Sequence, residues 1–162
     1  MQKTFLLFII VVFVGCSSAT PEESPTEAFQ DYLDSGKFYL EHQQFDEALK
    51  YFRIALIDAQ TVDNLYGQAV ALLSLSQVMQ NINDDSKSTS ENENLAVLYF
   101  NQASEIIPLI RKEQPDISDY YINLIYGQYY EILAYFDILK GDKVKAMENL
   151  KIAESYYEKS IQ

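Results

Sequence analysis

The distribution of proline is the sequence feature that most limits the fold. No proline interrupts the chain between Pro25 and Pro108. Proline removes a backbone hydrogen-bond donor and clashes with the preceding helical turn, so its absence over this stretch permits several long helices. Glycine, with 5 of 162 residues, is also too scarce for a fold of many short strands joined by tight turns. The chain is therefore predicted to be all-α.

Apolar residues recur at helical spacing along the chain. In one segment Phe45, Ala48, Phe52 and Ala55 follow each other at intervals of three and four residues, which places them on one helix face. The predicted helices span residues 26–42, 45–59, 63–81, 91–107, 116–140 and 142–160. Because most of the connections are short, these helices are predicted to form three antiparallel hairpins.

Helix start and stop signals support these boundaries. Ser24 to Glu27 fits a capping box with Pro25 at the first helical position, and Ser90 to Glu93 fits a second capping box. Gly141 is typical of a helix stop, and the following Asp142 is a candidate N-cap for the last helix.

The first residues have the composition of an export signal. Lys3 is followed by an apolar run from Phe5 to Val14, which is too short to span a membrane as an ordinary helix. The segment ends at Gly15 and Cys16, which resembles the bacterial lipobox, although Phe13 stands where that motif usually has Leu or Val. The resemblance implies that Cys16 is lipidated and becomes the new N-terminus. Ordinary signal cleavage after Ala19 is the alternative.

Three segments follow from this interpretation. Residues 1–15 form the signal peptide, and residues 16–25 form a lipidated cysteine with a small, polar, proline-containing tether that cannot bury apolar surface. Residues 26–162 form the helical domain. Within it, residues 81–94 are polar and low in complexity, and we interpret them as an inserted surface loop. A calcium site there is disfavoured because Ser86 replaces the glycine that an EF-hand loop requires.

An internal repeat runs through the helical domain. An Ala, a large residue and a second Ala recur at spacings of four and three residues, and tyrosines or small residues precede them. The signature residues are Tyr32, Gly36, Tyr39, Ala48, Phe52 and Ala55, then Ala96, Phe100, Ala103 and Pro108, then Tyr130, Ala134, Ala146, Leu150 and Ala153. This pattern resembles the tetratricopeptide repeat, a helix-turn-helix unit of 34 residues. An unrelated six-helix bundle with close alanine contacts is the alternative.

The resemblance implies a short right-handed solenoid whose first, third and fifth helices line a concave groove for a peptide or protein partner. The groove positions that the family pattern assigns are Leu33, Lys37 and Leu40, then Asn64, Ala71 and Ser74, then Gln128, Glu131, Tyr135 and Ile138. This surface is mixed in character and lacks the cluster of basic residues that would grip an acidic peptide end.

Tyrosine is concentrated near the end of the chain. Eight of the 13 tyrosines lie between Tyr120 and Tyr157, and those of the fifth helix go around its axis. Such a helix is either buried on most sides or exposes aromatic surface. We expect most of these tyrosines to be in the core and Tyr135 to be an exposed contact. A Tyr-lined ligand pocket in the third hairpin is the alternative.

The composition excludes many kinds of chemistry. The single Cys cannot form an internal disulfide, and the single His42 leaves little for a metal site or a catalytic relay. With 24 acidic and 12 basic residues, the chain has no electrostatic footprint for nucleic acid. No phosphate-binding loop, nucleophile elbow or zinc motif occurs in the sequence. We therefore expect neither an enzyme nor a cofactor.

The sequence favours an exported, lipid-anchored binding scaffold of the cell envelope. In a diderm bacterium, Ser17 after the cysteine resembles the signal for the outer membrane, so the domain would face the periplasm. The rival function is a small-ligand or solute-binding accessory lipoprotein.

Repeat arrays usually end in a polar capping helix, and the chain leaves no room for one after residue 160. A partner, or a second copy bound through the C-terminal hairpin, is expected to cover that edge unless the last helix is itself polar outside.

Overall fold

The described part of the chain consists of six helices. The computed structural model describes residues 25–82 and 89–161. The helices are α1 (Pro25–Glu41), α2 (Phe45–Thr61), α3 (Leu65–Asn81), α4 (Thr89–Glu113), α5 (Asp119–Leu139) and α6 (Lys143–Ser160). No strand occurs within these ranges. The predicted all-α class and the number of helices are therefore confirmed, and five of the six helices lie within three residues of their predicted ends.

The helices pack as three antiparallel hairpins around α3. Hairpins form between α1 and α2, between α3 and α4, and between α5 and α6, and α3 also packs along α2. Most of α3 is buried, including the completely buried Leu73 and Leu75. The third hairpin touches the rest of the described fold only through contacts of α5 with α3 and α4. The core thus lies mainly around α3.

The turns follow the predicted chemistry at the third hairpin. Gly141 has φ of +80°, a conformation that favours glycine because it has no Cβ. The carboxylate of Asp142 accepts the backbone N–H of Lys145 at 3.0 Å, which satisfies one of the free donors of the first turn of α6. Both predictions at this turn are confirmed. The second capping box is not, because Ser90 already lies inside α4.

Helix α4 does not end at residue 107 as predicted. It continues through Pro108 to Glu113. Pro108 is exposed, whereas Ile107 and Ile110 on either side of it are buried in the core. Burial of such a side chain contributes about 1.5–3 kcal/mol, which is comparable to the cost of a proline inside a helix. Core packing therefore carries the helix past the proline.

The predicted polar insertion is shorter than expected. Helix α4 begins at Thr89, so residues 89–94 are helical and are not part of a loop. Residues 83–88 lie outside the described residues, and so do Cys16 and the greater part of the tether. Among the helices described, none has both the length and the apolar character that crossing a bilayer requires.

Candidate functional site

A cavity of about 370 Å³ runs across the three helices that come first in each hairpin. Within the described residues, α1 and α5 each contact α3 but do not contact each other. Helices α1 and α5 therefore form two walls, and α3 forms the floor between them. We call this cavity the groove. It is lined by both polar and apolar side chains, which include Lys37, Leu40 and Glu41 of α1, Tyr66, Val70, Ser74 and Gln77 of α3, and Leu124, Gln128 and Glu131 of α5.

The walls of the groove carry charges of both signs. Lys37 on α1 is exposed and lies 3.7 Å from Asp34, measured from Nζ to Oδ1. Glu131 on α5 is also exposed, and its Oε2 accepts a hydrogen bond of 2.9 Å from the hydroxyl of Tyr157 on α6. Between the walls, the amide of Gln128 donates to the hydroxyl of Ser74 at 3.5 Å and joins α5 to α3. The α1 wall therefore offers a cation, Lys37, and a carboxylate, Glu41, whereas the α5 wall offers the carboxylate of Glu131.

Each flanking hairpin is closed by a glycine that lies under an aromatic ring. A Cβ placed on Gly36 would come within 2.5 Å of Cε1 of Phe52, and a Cβ on Gly127 would come within 2.5 Å of Cε1 of Tyr157. Both glycines are buried. Because both rings also line the groove, these close contacts fix the positions of groove residues as well as the spacing of the helices.

The environment of Tyr157 favours its neutral form. Burial, followed by the charge of Glu131 and the hydrogen bond to it, raises the pKa of the Tyr157 hydroxyl above its ordinary value. The Glu131 carboxylate can accept this hydrogen bond only while the Tyr157 hydroxyl keeps its proton. The Tyr157–Glu131 pair is thus a fixed hydrogen bond at the edge of the groove and not a source of a free phenolate.

The structure brings together some of the predicted partner contacts and separates others. Lys37, Leu40, Ser74, Gln128 and Glu131 all line the groove. Whether they bind a partner stays a prediction.

Other assigned positions lie elsewhere. Leu33 is 1% exposed and Ala71 is completely buried, so both are core residues that present no surface to a partner. Ile138 is 52% exposed but does not line the groove. Asn64 caps α3, where its side chain accepts the backbone N–H of Gly67 at 2.9 Å.

Tyr135, which was expected to be an exposed contact, is only partly exposed. Its ring is partly buried against the core and packs edge-on against Phe136, with the ring centroids 5.8 Å apart. Burial is also the main reason why its pKa is raised. The last turns of α5 are covered on this side because α5 meets the second hairpin there, which spacing within α5 could not indicate.

Most of the repeat signature is buried, as close helix packing requires. The small residues Ala48, Ala55, Ala96, Ala103, Ala134, Ala146 and Ala153 are each at most 2% exposed. Phe52 and Phe100 fill the large position in the first two hairpins, and Tyr39 stacks on Tyr51 with ring centroids 5.2 Å apart. Tyr32 and Tyr130 are partly buried.

Leu150 does not occupy the buried large position expected of it, because it is 45% exposed. In the third hairpin the aromatic ring that packs against a glycine belongs to Tyr157, two helical turns farther along α6. Closer to the turn, a buried polar pair joins the helices: Asn149 donates to Oδ2 of Asp137 at 2.7 Å. This pair takes up space that an apolar side chain would otherwise fill.

Sequence reasoning missed Gly127 and Tyr157, although a signal was present. In an antiparallel hairpin, residues equally distant from the turn face each other, and both residues lie fifteen positions from Asp142. A glycine inside an otherwise strong helical pattern also indicates a close approach.

A second cavity, of about 540 Å³, lies at the start of α3 and shares Tyr66 with the groove. All eight of its lining residues are uncharged: Phe29, Gln30, Val62, Asn64, Tyr66, Gln114, Ile117 and Tyr121. Gln114, just beyond the end of α4, accepts the backbone N–H of Tyr66 at 3.1 Å. Because α4 continues past Pro108, Gln114 at its end reaches this cavity and forms part of the lining.

The other tyrosines of the third hairpin mainly stack on one another. Tyr156 stacks on both Tyr126 and Tyr130, with centroid distances of 5.2 and 5.7 Å, and Tyr129 stacks on Phe100 of the second hairpin at 4.9 Å. These rings hold helices together and enclose no separate pocket among the described cavities. Six of the eight tyrosines are partly buried, whereas Tyr120 and Tyr121 are 49% and 43% exposed, so most of them pack against the fold but none is fully buried.

Comparison with known proteins adds no family to this picture. No protein-family model matches the chain. No curated protein and no solved structure matches it either. Arguments about function therefore come from the residues and their geometry.

Proposed function

We propose that this protein is a lipid-anchored scaffold of the cell envelope that binds a segment of a protein partner in the groove. The observation that carries the proposal is the open cavity whose walls come from α1 and α5 and whose floor comes from α3. It combines apolar contact area with polar side chains from three helices, as peptide-binding surfaces do.

The charges of the groove restrict the partner. A bound segment that places a carboxylate near Lys37 and cations near Glu41 and Glu131 would complement both walls. The partner is therefore a polar segment carrying both charges, and an all-acidic segment is disfavoured. The tetratricopeptide-like arrangement and a role as an assembly factor are part of the same proposal.

The anchor is proposed from the sequence. The apolar run before Cys16, followed by a polar tether, is the observation that supports export and lipidation. In a diderm bacterium the domain would be held at the outer membrane, facing the periplasm. A tethered groove would keep its partner close to that membrane.

Photocrosslinking in cells that make the protein tests the groove. A photoreactive amino acid at Gln77, on the floor of the groove, is expected to give a discrete crosslinked product, and the exposed Gln102 on α4 is the matched control position. Lys37→Glu and Glu131→Lys, introduced separately, should each reduce the product. Equal products from Gln77 and Gln102, or no effect of either charge reversal, would contradict the proposal.

A small neutral ligand remains the second candidate, and the uncharged cavity favours it. That cavity holds three aromatic rings and three side-chain amides, and the third hairpin contributes Tyr121. Such a lining suits an uncharged ligand with hydrogen-bonding groups. A thermal-shift screen of neutral sugars and amides tests this function, with Tyr121→Ala as the control. Stabilisation that Tyr121→Ala abolishes would support the ligand, and its absence throughout the screen would favour the scaffold.

A further inference from the structure

The outer face of α6 is a helix surface that no described element covers. Positions on this face follow each other at alternating spacings of four and three residues, which is the seam pattern of helices that pack side by side. We call this row the α6 seam, and it consists of Lys143, Met147, Leu150, Glu154 and Ile161; at the remaining position of the row, Tyr157 packs over Gly127 of α5. Met147 is 61% exposed and Ile161 is 84% exposed. Val144 beside the row is 71% exposed. Apolar side chains in such a row indicate an interaction surface.

The first hairpin shows what such a face does when it is covered. Counted from Ala48 in α2 and from Ala146 in α6, Leu49 corresponds to Met147 and Phe52 corresponds to Leu150. In α2, which packs between α1 and α3, these two positions are 9% and 0% exposed. In α6 the equivalent positions are 61% and 45% exposed. One reason for the difference is that α3 packs along α2, whereas no further helix packs along α6 among the described helices. At the Leu150 position a second reason is that Tyr157, and not Leu150, packs against the glycine of the facing helix.

The charges on this face are ordered along the helix. Lys143 and Lys151 lie in its first half, and Glu154 and Glu158 lie in its second half. All four side chains are exposed, and none of them forms an ion pair with another described residue. An approaching helix that ran parallel and had the same order would meet like charges. One that ran antiparallel would meet opposite charges along the whole seam.

We propose that two copies of this chain dimerise through antiparallel packing of their α6 seams about a two-fold axis. A two-fold interface requires a surface that is complementary to itself, and a basic half followed by an acidic half meets this requirement in the antiparallel direction. Leu150, Lys151 and Glu154 then lie near the axis, Met147 packs farther from it, and the lysines of each copy face the glutamates of the other. This inference is independent of what the groove binds.

The dimer also affects the groove. A shallow cavity beside the α6 seam is lined by Leu150, Glu154, Tyr157 and Ile161, and it shares Glu131 and Tyr157 with the groove. Two-fold packing of α6 would therefore bring the Glu131 sides of two grooves towards one interface.

Charge reversal combined with sedimentation equilibrium tests the dimer. The full chain is studied in a density-matched neutral detergent, so that the apolar N-terminal segment is the same in every sample. Lys143→Glu with Lys151→Glu gives a variant whose α6 face is acidic throughout. Glu154→Lys with Glu158→Lys gives one whose face is basic throughout. A third variant carries all four reversals and restores the complementary order in the opposite direction.

The wild type and the four-site variant are expected to dimerise at micromolar concentration. Each two-site variant alone should self-associate at least about tenfold more weakly, because exposed pairs that attract are replaced by pairs that repel. An equimolar mixture of the two variants should recover the dimer. Circular dichroism verifies that every variant is folded.

Several results would overturn the proposal. A monomeric wild type would refute it directly. Undiminished dimers of both two-site variants would place self-association elsewhere in the chain. A mixture that stays monomeric although the wild type dimerises would exclude antiparallel pairing.

Discussion

Gly127 of α5 lies directly beneath the ring of Tyr157 in α6, so that a Cβ on the glycine would stand 2.5 Å from Cε1 of the tyrosine. The same ring donates its hydroxyl to Glu131 across 2.9 Å. One side chain thus closes the third hairpin and fixes a charged residue at the edge of the groove.

Gly127→Ala is expected to destabilise the fold. The added methyl group meets a ring that its own contacts hold in place, and overpacking of this kind costs about 1–3 kcal/mol. Urea unfolding measures the change, and Gly36→Ala, which meets Phe52 at the same distance, should behave similarly. Gln102→Ala at an exposed position of α4 is the control and should change stability by less than about 0.5 kcal/mol. A smaller loss in Gly127→Ala than in this control would contradict the close contact.

The buried polar pair of the third hairpin allows a second prediction. Asp137 is 2% exposed and accepts from Asn149, and Lys145 Nζ lies 3.7 Å away. Asp137→Ala leaves the Asn149 amide unsatisfied and should cost about 1–3 kcal/mol in urea unfolding. Asp137→Asn retains an acceptor and should cost less. Asp34→Ala, which removes only the exposed pair with Lys37, should cost about 0–1 kcal/mol. Equal effects of Asp137→Ala and Asp34→Ala would show that the pair does not stabilise the hairpin.

The raised pKa of Tyr157 predicts a loss of stability at high pH. In the unfolded chain a tyrosine releases its proton at about pH 10, whereas the Tyr157 hydroxyl of the folded protein retains its proton to higher pH. Above about pH 10 unfolding therefore releases a proton, and stability falls as pH rises towards the folded pKa. Thermal unfolding between about pH 8 and 11 should show a smaller decline in Tyr157→Phe than in the wild type. Parallel declines would mean that this hydroxyl titrates alike in both states.

Pro108→Ala is expected to stabilise the protein. Alanine restores a backbone donor inside α4 and removes the clash of the proline ring, and the gain is partly offset by the greater freedom of the unfolded chain. The expected net increase is roughly 1–2 kcal/mol in urea unfolding. Pro115→Ala, outside the helices, is the matched control and should not stabilise. No gain in Pro108→Ala would argue for a helix that ends at residue 107.

Lipidation is predicted for Cys16. Cells that make the protein are expected to incorporate a palmitate analogue into it, and Cys16→Ala should abolish the label, because this is the only cysteine of the chain. Signal cleavage after Ala19 would instead give an unlabelled mature protein. An unlabelled wild type, or a label that persists in Cys16→Ala, would contradict lipidation of Cys16.

The helices were predictable because their signals are local. The period of apolar residues placed all six, and Gly141 with Asp142 defined one turn correctly. The end of α4 was not predictable from Pro108, because burial of Ile110 by other helices outweighs the local preference of proline. Local propensity determines where helices form, and tertiary packing determines where some of them stop.

The candidate site was predictable only in part. The helices that the family pattern assigns to a partner groove, α1, α3 and α5, line the cavity, but the pattern assumes that every hairpin has the same geometry. The third hairpin departs from that geometry, since Gly127 meets Tyr157 and leaves Leu150 outside. Leu33 and Tyr135 were misplaced for a related reason: whether a residue on the correct helix is exposed depends on how its neighbours pack.

Because α3 lies between the two walls of the groove, the width of the groove depends on how each wall packs on α3. Its two walls have no direct contact among the described residues, so their separation is determined by how each wall sits on the floor. The wall formed by α1 is fixed twice, through α3 and through α2, whereas the wall formed by α5 rests on the second hairpin over a small area. Rotation of the third hairpin about that small area would widen or narrow the groove while the first two hairpins keep their packing. Such a rotation would move the wall that carries Glu131, whereas the wall that carries Lys37 would keep its position on α2 and α3.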